Sequence, residues 1–201
     1  MKFIRKVLIA FAAMIVLYFL QSCSQNFPLD KDLTLKSYKL LNQDSVDVLF
    51  PSIIKNKITV MGFIYTHCPD ICPMTTHNIQ LVQDELDKEG IENINYVLLS
   101  FDPGRDKPEV LKKFAELRDI DFNKWSLLTG ENDVVSDLIR RFEVTVIFTD
   151  STYSDDGELA YSVMHTDRIA LIDQDSKLRN YYKGSTANIS ELINDVKRLG
   201  D

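Results

Sequence analysis

Cys68-Pro69-Asp70-Ile71-Cys72-Pro73 sets two thiols three residues apart. Each precedes a proline, which steers it away from helical dihedrals and onto a loop. Two chemistries suit such a pair. A disulfide needs sulfurs about 2.05 Å apart, whereas two thiolates on one metal, at about 2.3 Å each, need roughly 4 Å between them. A three-residue spacer permits either. Thiolates are soft ligands and suit Cu(I) or zinc, and a structural zinc normally takes four protein ligands.

A further ligand would come from the chain's three histidines, His67, His77 and His165. His67 adjoins Cys68, and in an extended segment neighbouring side chains point apart, which favours a hydrogen-bonded structural role. His77 falls opposite the apolar stripe of Ile79, Val82 and Leu86 and reads as solvent-exposed. His165 stands just before the apolar run Ile169-Ala170-Leu171-Ile172. Taken alone it is a turn histidine without a partner; beside a cysteine pair it is a candidate ligand. Met74 and Met164 are soft enough to assist copper, but methionines near core elements usually fill space, and neither is counted as a ligand.

Positioning these residues requires a strand and a helix. Ile58 to Tyr65 is a near-continuous apolar and β-branched run, the pattern of a parallel strand buried on both faces. A helix follows, opening at Pro73 and closing at Gly90. The cysteines therefore lie at the carboxyl end of a central strand, where open α/β sheets place their sites, and the positive helix end beside Cys72 favours thiolate.

The alternation repeats. Asn95 to Phe101 reads as a strand, and Asp106 with Glu109 as a capping box opening a helix that buries Val110, Leu111, Phe114 and Leu117. Trp125 to Leu128 is a short strand, followed by a helix over 132–142. Val144 to Phe148, Arg168 to Asp173 and Leu178 to Tyr182 are strands whose short polar turns suggest antiparallel pairing, with Ser151 to Glu158 an exposed insertion. Asn188 with Glu191 opens the last helix. This βαβα then ββα order is an α/β, thioredoxin-like fold: a central mixed sheet flanked by helices.

At the amino terminus, Lys2, Arg5 and Lys6 precede an apolar run of 14 residues, Val7 to Leu20. That suits a signal-peptide core and falls short of the ~20 residues of a spanning helix. Leu20-Gln21-Ser22-Cys23 resembles a bacterial lipobox, in which the cysteine is lipidated, although Gln21 is less usual there than a small residue. The expected organisation is a lipoprotein signal peptide over 1–22, a tether over 23–32 and one thioredoxin-like domain over 33–201. The domain would then lie outside the cytoplasm, facing the periplasm or cell exterior.

The 201 residues suffice for one domain, and 45% hydrophobic with 26% charged residues is ordinary globular composition, which excludes disordered and multi-span membrane classes. With the three leading cations set aside, 20 basic face 30 acidic residues, which disfavours nucleic acid as a partner.

Tyr65-Thr66-His67-Cys68-Pro69-Asp70-Ile71-Cys72-Pro73 resembles the signature of the Sco/SenC family of copper proteins. Ser100-Phe101-Asp102-Pro103-Gly104-Arg105-Asp106 and Val163-Met164-His165-Thr166 resemble two further landmarks of that family, in the same order. The resemblance implies copper, as Cu(I) or Cu(II), on Cys68, Cys72 and His165. It also implies a Cys68–Cys72 disulfide as a possible metal-free form, and a role for Asp102 beside the site or against a partner; a turn residue ahead of Pro103 is the plain alternative. Met164 departs from the pattern, replacing an aspartate that many relatives carry.

The activity implied is a metallochaperone that delivers copper to the CuA site of a cytochrome c oxidase subunit, or to another acceptor protein, during oxidase assembly. The same residues also suit a membrane-tethered thiol-disulfide oxidoreductase acting on the oxidase's copper-site cysteines, or a redox or copper sensor.

Overall fold

The computed structural model describes residues 27–153 and 159–200. The proposed signal peptide, Cys23 and residues 154–158 of the insertion lie outside the described residues. Among the described residues the chain opens with β1 (Lys31–Asp32), β2 (Tyr38–Asn42), β3 (Asp47–Phe50) and a 3-10 turn (Ser52–Ile54). There follow β4 (Ile58–Ile64), α1 (Ile71–Lys88), β5 (Ile94–Ser100), α2 (Pro108–Glu116), β6 (Trp125–Thr129) and α3 (Asn132–Arg141). The chain then forms β7 (Val146–Tyr153), β8 (Leu159–His165), β9 (Ile169–Ile172), β10 (Lys177–Tyr182) and α4 (Ile189–Gly200).

Eight strands form one sheet in the order β1-β10-β9-β4-β5-β6-β2-β3. All seven residues of β4 and of β5 are buried, as their unbroken apolar runs require, and the two strands pair in parallel from Ile58↔Ile94 to Ile64↔Ser100. β9 lies antiparallel on the other side of β4, and β10 antiparallel to β9. The centre β10-β9-β4-β5, with one antiparallel strand, is the thioredoxin-like mixed sheet.

α1 and α4 pack together and both contact β4. Gly62 makes room for this: a Cβ there would lie 2.9 Å from Ile79 Cδ1 and 3.0 Å from Leu98 Cδ2. The opposite face of β4 carries Phe63, whose ring meets Phe142 at the end of α3 at 5.1 Å between centroids. Burial on both faces fixes the strand end from which the cysteine loop departs.

Several local expectations need correcting. α1 begins at Ile71, so Cys72 lies in its first turn with Pro73 behind it. Proline costs little there, because first-turn N–H groups have no intrahelical acceptor. Asp106 does not cap α2; Lys107 occupies that position without a side-chain bond, and Asp106 turns inward to buried donors. Asn188 does cap α4, its Oδ1 accepting from Glu191 N at 3.3 Å.

β7 runs past Phe148 and leaves the main sheet. It pairs with β8, a strand the sequence did not reveal, from Val146↔His165 to Tyr153↔Leu159 in a separate two-stranded ribbon. The β2–β3 hairpin was likewise unread. Phe27 and Leu29, within the stretch read as tether, pack on the core. Leu29 N donates to Arg179 O at 3.1 Å, and Phe27 sits beneath the guanidinium groups of Arg179 and Arg198.

Candidate metal centre

Three elements converge at the carboxyl end of β4. The loop after it carries Cys68, the first turn of α1 carries Cys72, and the last residue of β8 is His165. Their ligand atoms all lie within 4.8 Å of one another, the one such group of three among the described residues. Both cysteines are free thiols; Cys72 is fully buried and Cys68 is 9% exposed.

Backbone donors surround the sulfurs. Tyr65 N–H points at Cys72 Sγ at 3.5 Å, and Cys72 N–H at Cys68 Sγ at 3.4 Å. A hydrogen bond from the Cys72 thiol, helped by His165 and by the backbone N–H groups of Cys72 and Asp70, overcomes burial and holds the Cys68 thiol far below its ordinary range. Cys72 moves the other way, pushed up by donating to Cys68 and by its burial. Of the two sulfurs, Cys68 is therefore the one that ionises first.

His165 is oriented by its other nitrogen. Nδ1 lies 3.1 Å from the Thr166 carbonyl, which can only accept, so Nδ1 carries a proton. Nε2 is then left to face Cys72 Sγ at 3.8 Å. Burial opposes a charge on this imidazole, but the Cys68 thiolate and the Thr166 carbonyl outweigh it and hold its pKa above the ordinary histidine value. Phe101 and Tyr65 flank the ring, with centroids 4.7 and 6.0 Å away. Burial pushes the Tyr65 phenol up to about 12, so it stays neutral.

The donor set fits a soft, low-coordinate metal. Bonds of about 2.3 Å to sulfur and 2.05 Å to nitrogen let one metal ion bridge Cys72 Sγ and His165 Nε2, which stand 3.8 Å apart. No fourth His, Cys, Asp or Glu joins the group among the described residues, which suits copper better than structural zinc.

The remaining candidates stand outside the group. His67 is exposed, its Nδ1 3.1 Å from Thr66 Oγ1, and His77 is exposed on α1. Met74 and Met164 are exposed. Asp102 is buried and receives Arg105 Nε at 2.7 Å, while its carbonyl accepts from the N–H groups of Arg105 and Asp106. It builds the turn, and the Arg105 it holds lies over the Tyr65 ring at 5.8 Å.

Two supports escaped sequence reasoning. Asp106, taken for a helix cap, accepts from Thr66 N at 3.0 Å and from the Thr66 and Ser100 hydroxyls at 2.5 Å each, anchoring the segment before Cys68. Asp167 accepts from the Ser185 backbone and hydroxyl beside the His165 loop. The first sits in a motif already singled out; nothing local marks the second.

Known proteins share the family and the fold. The SCO1/SenC family model matches residues 28–201. A SCO1/SenC family lipoprotein from Bacillus anthracis is 30% identical, with a TM-score of 0.70 over 87% of this chain and 98% of that one. ScoI from Bradyrhizobium japonicum, solved with copper bound, is 27% identical with a TM-score of 0.66 over 82% and 98% of the two chains. BsSco, described with a disulfide switch as a member of the Sco family of cytochrome c oxidase assembly proteins, is 27% identical with a TM-score of 0.66 over 85% and 94%. With the family model matching residues 28–201 and the fold shared with the Bacillus anthracis lipoprotein over 87% of this chain, this protein belongs to the SCO1/SenC family.

Proposed function

We propose that this protein holds one copper ion on Cys68 Sγ, Cys72 Sγ and His165 Nε2 and hands it to the CuA site during assembly of cytochrome c oxidase. The observation that carries this reading is the convergence of those three atoms within 4.8 Å, with Nδ1 of His165 engaged by Thr166 and Nε2 turned to the sulfurs. The copper-bound relative and the oxidase-assembly relative support it. Copper is cargo here. An acceptor thiolate enters, one of the three ligands leaves, and the metal passes by ligand exchange without change of oxidation state.

Cu(I) titration against a chromophoric chelator tests the site. One equivalent should bind the wild type, the C68S and C72S variants should lose it, and H165A should bind more weakly. Unchanged affinity in H165A would overturn the ligand assignment.

A second reading draws on the asymmetry of the thiols, Cys68 with its pKa lowered and 9% exposed, Cys72 with its pKa raised and fully buried. Cys68 thiolate could attack a partner disulfide, releasing one partner thiolate. Cys72, giving up its proton, would then attack Cys68 Sγ, releasing the second and leaving a Cys68–Cys72 disulfide. Two electrons pass from this protein's dithiol to the partner. In that role His165 serves only to favour the Cys68 thiolate, so an H165A variant that loses copper but keeps reducing disulfides at a pH where Cys68 is still ionised separates the readings.

The lipobox-like Leu20-Gln21-Ser22-Cys23 and the lipoprotein relative support an anchor on Cys23 outside the cytoplasm. Labelling with a radioactive fatty acid, lost in C23A, checks it.

A further inference from the structure

His165 and Cys72 are 93 positions apart and stand on elements that do not pair with each other. His165 closes a ribbon that is outside the main sheet, and β9, in register with β4 from Ile169, begins only after Thr166, Asp167 and Arg168. The 3.8 Å between imidazole and sulfur therefore depends on what ties this three-residue connection to α1.

Side chains of α1 supply the first half of the tie. Asn78 Nδ2 donates to the Gly184 carbonyl at 2.8 Å, so α1 itself holds the turn after β10. That turn grips Asp167: Ser185 N–H lies 2.9 Å from Oδ1 and 3.1 Å from Oδ2, and the Ser185 hydroxyl donates to Oδ2 at 2.6 Å. The buried Thr75 hydroxyl, one turn beyond Cys72, shares its proton between the Ile71 carbonyl at 3.0 Å and Asp167 Oδ1 at 3.3 Å. Gly184 is what lets these groups meet, because a Cβ there would collide with both Asp167 Oδ1 and Thr75 Oγ1.

We propose that Asp167 is a positioning residue: seated on the Gly184-Ser185 turn that α1 holds, its carboxylate fixes the His165 imidazole at coordinating distance from Cys72. Its importance for copper rests on the ligand set proposed above. Thr166, between the two residues, is itself pinned, its N–H donating to Thr145 O and its hydroxyl accepting from Thr145 N, both at 3.0 Å. Thr145 thus keeps Thr166 and His165 together at the ribbon end, and Asp167 is the residue that ties that end to Thr75 of α1 and to the Ser185 turn. Groups that orient metal ligands from outside typically cost ten- to a hundredfold in affinity when removed.

The test uses the reduced, metal-free protein and its Cu(I) complex. In the D167A variant, the nuclear Overhauser contact between the His165 ring and the Cys72 Hβ protons should weaken, and Cu(I) affinity should fall by about ten- to a hundredfold. D167N retains an oxygen for Ser185 N–H and should restore most of both, which a role of the charge alone would not. A folded D167A protein with unchanged contact and affinity overturns the proposal. Should D167A not fold, S185A, which removes only the 2.6 Å bond, decides by the same two readouts. The contact needs no metal. If it weakens in D167A while wild-type affinity is indifferent to H165A, the positioning role stands and the copper ligand set falls.

Discussion

Asp106 receives both the backbone N–H and the hydroxyl of Thr66, at 3.0 and 2.5 Å, across 40 positions of sequence. The carboxylate is fully buried and also takes the Ser100 hydroxyl, so the end of β5 and the start of the cysteine loop share one acceptor. Removing it strands three donors. The D106A variant should lose about 2–4 kcal/mol of stability, the scale of a few buried donors left unpaired, measured by urea unfolding of the reduced protein. A loss below about 1 kcal/mol would mean that water replaces the carboxylate.

The opposite shifts of the two thiols give a reactivity test. An ordinary thiol loses thiolate tenfold per pH unit below about 8.5, whereas the hydrogen bonds from Cys72, His165 and the backbone keep Cys68 ionised far lower. Alkylation of Cys68 by iodoacetamide, resolved by peptide mass spectrometry, should therefore change little between pH 8 and pH 6. Cys72, buried and protonated, should lag throughout. Equal rates at the two sulfurs, or a tenfold fall per unit at Cys68, would refute the assignment.

The cysteine loop was legible because its determinants are local: an apolar run, two prolines and a helical stripe. β4 and β5 were readable for the same reason, since burial on both faces leaves no alternation to confuse. Asp106 misled because a carboxyl three residues before a glutamate has the form of a cap, while the donors it actually serves, Thr66 and Ser100, lie outside that window. β8 was missed because it pairs only with β7, in a two-stranded ribbon outside the main sheet, where no buried run marks it. Asp167 was invisible for a deeper reason: its role exists only once α1, the turn at Gly184 and the His165 loop have met.

Gly62 offers a mechanical test of how closely α1 must approach β4. A Cβ would press on Ile79 Cδ1 and Leu98 Cδ2 at 2.9 and 3.0 Å, the end methyls of two fully buried side chains. Overpacking of this kind costs about 1–3 kcal/mol, so G62A should unfold at lower urea concentration. Because Ile79 lies on the helix that carries Cys72, outward movement of α1 should also weaken Cu(I) binding. Lower stability with undiminished affinity would show that the strain relaxes away from the metal centre.

His165 gives the pH dependence of copper binding its sign. Its imidazole titrates above the ordinary value because the Cys68 thiolate and the Thr166 carbonyl favour the cation despite burial. In the cation Nε2 carries a proton, and a metal must displace it. Below the raised pKa, each unit fall in pH should therefore cost about tenfold in affinity from this group, on top of any proton released by Cys72. Above it, the imidazole contribution should level off. In H165A that contribution disappears, so subtracting the variant's affinity profile from that of the wild type isolates a single titration whose midpoint lies above 6.5. A difference that does not vary with pH would exclude Nε2 from the metal, whatever the distance to Cys72.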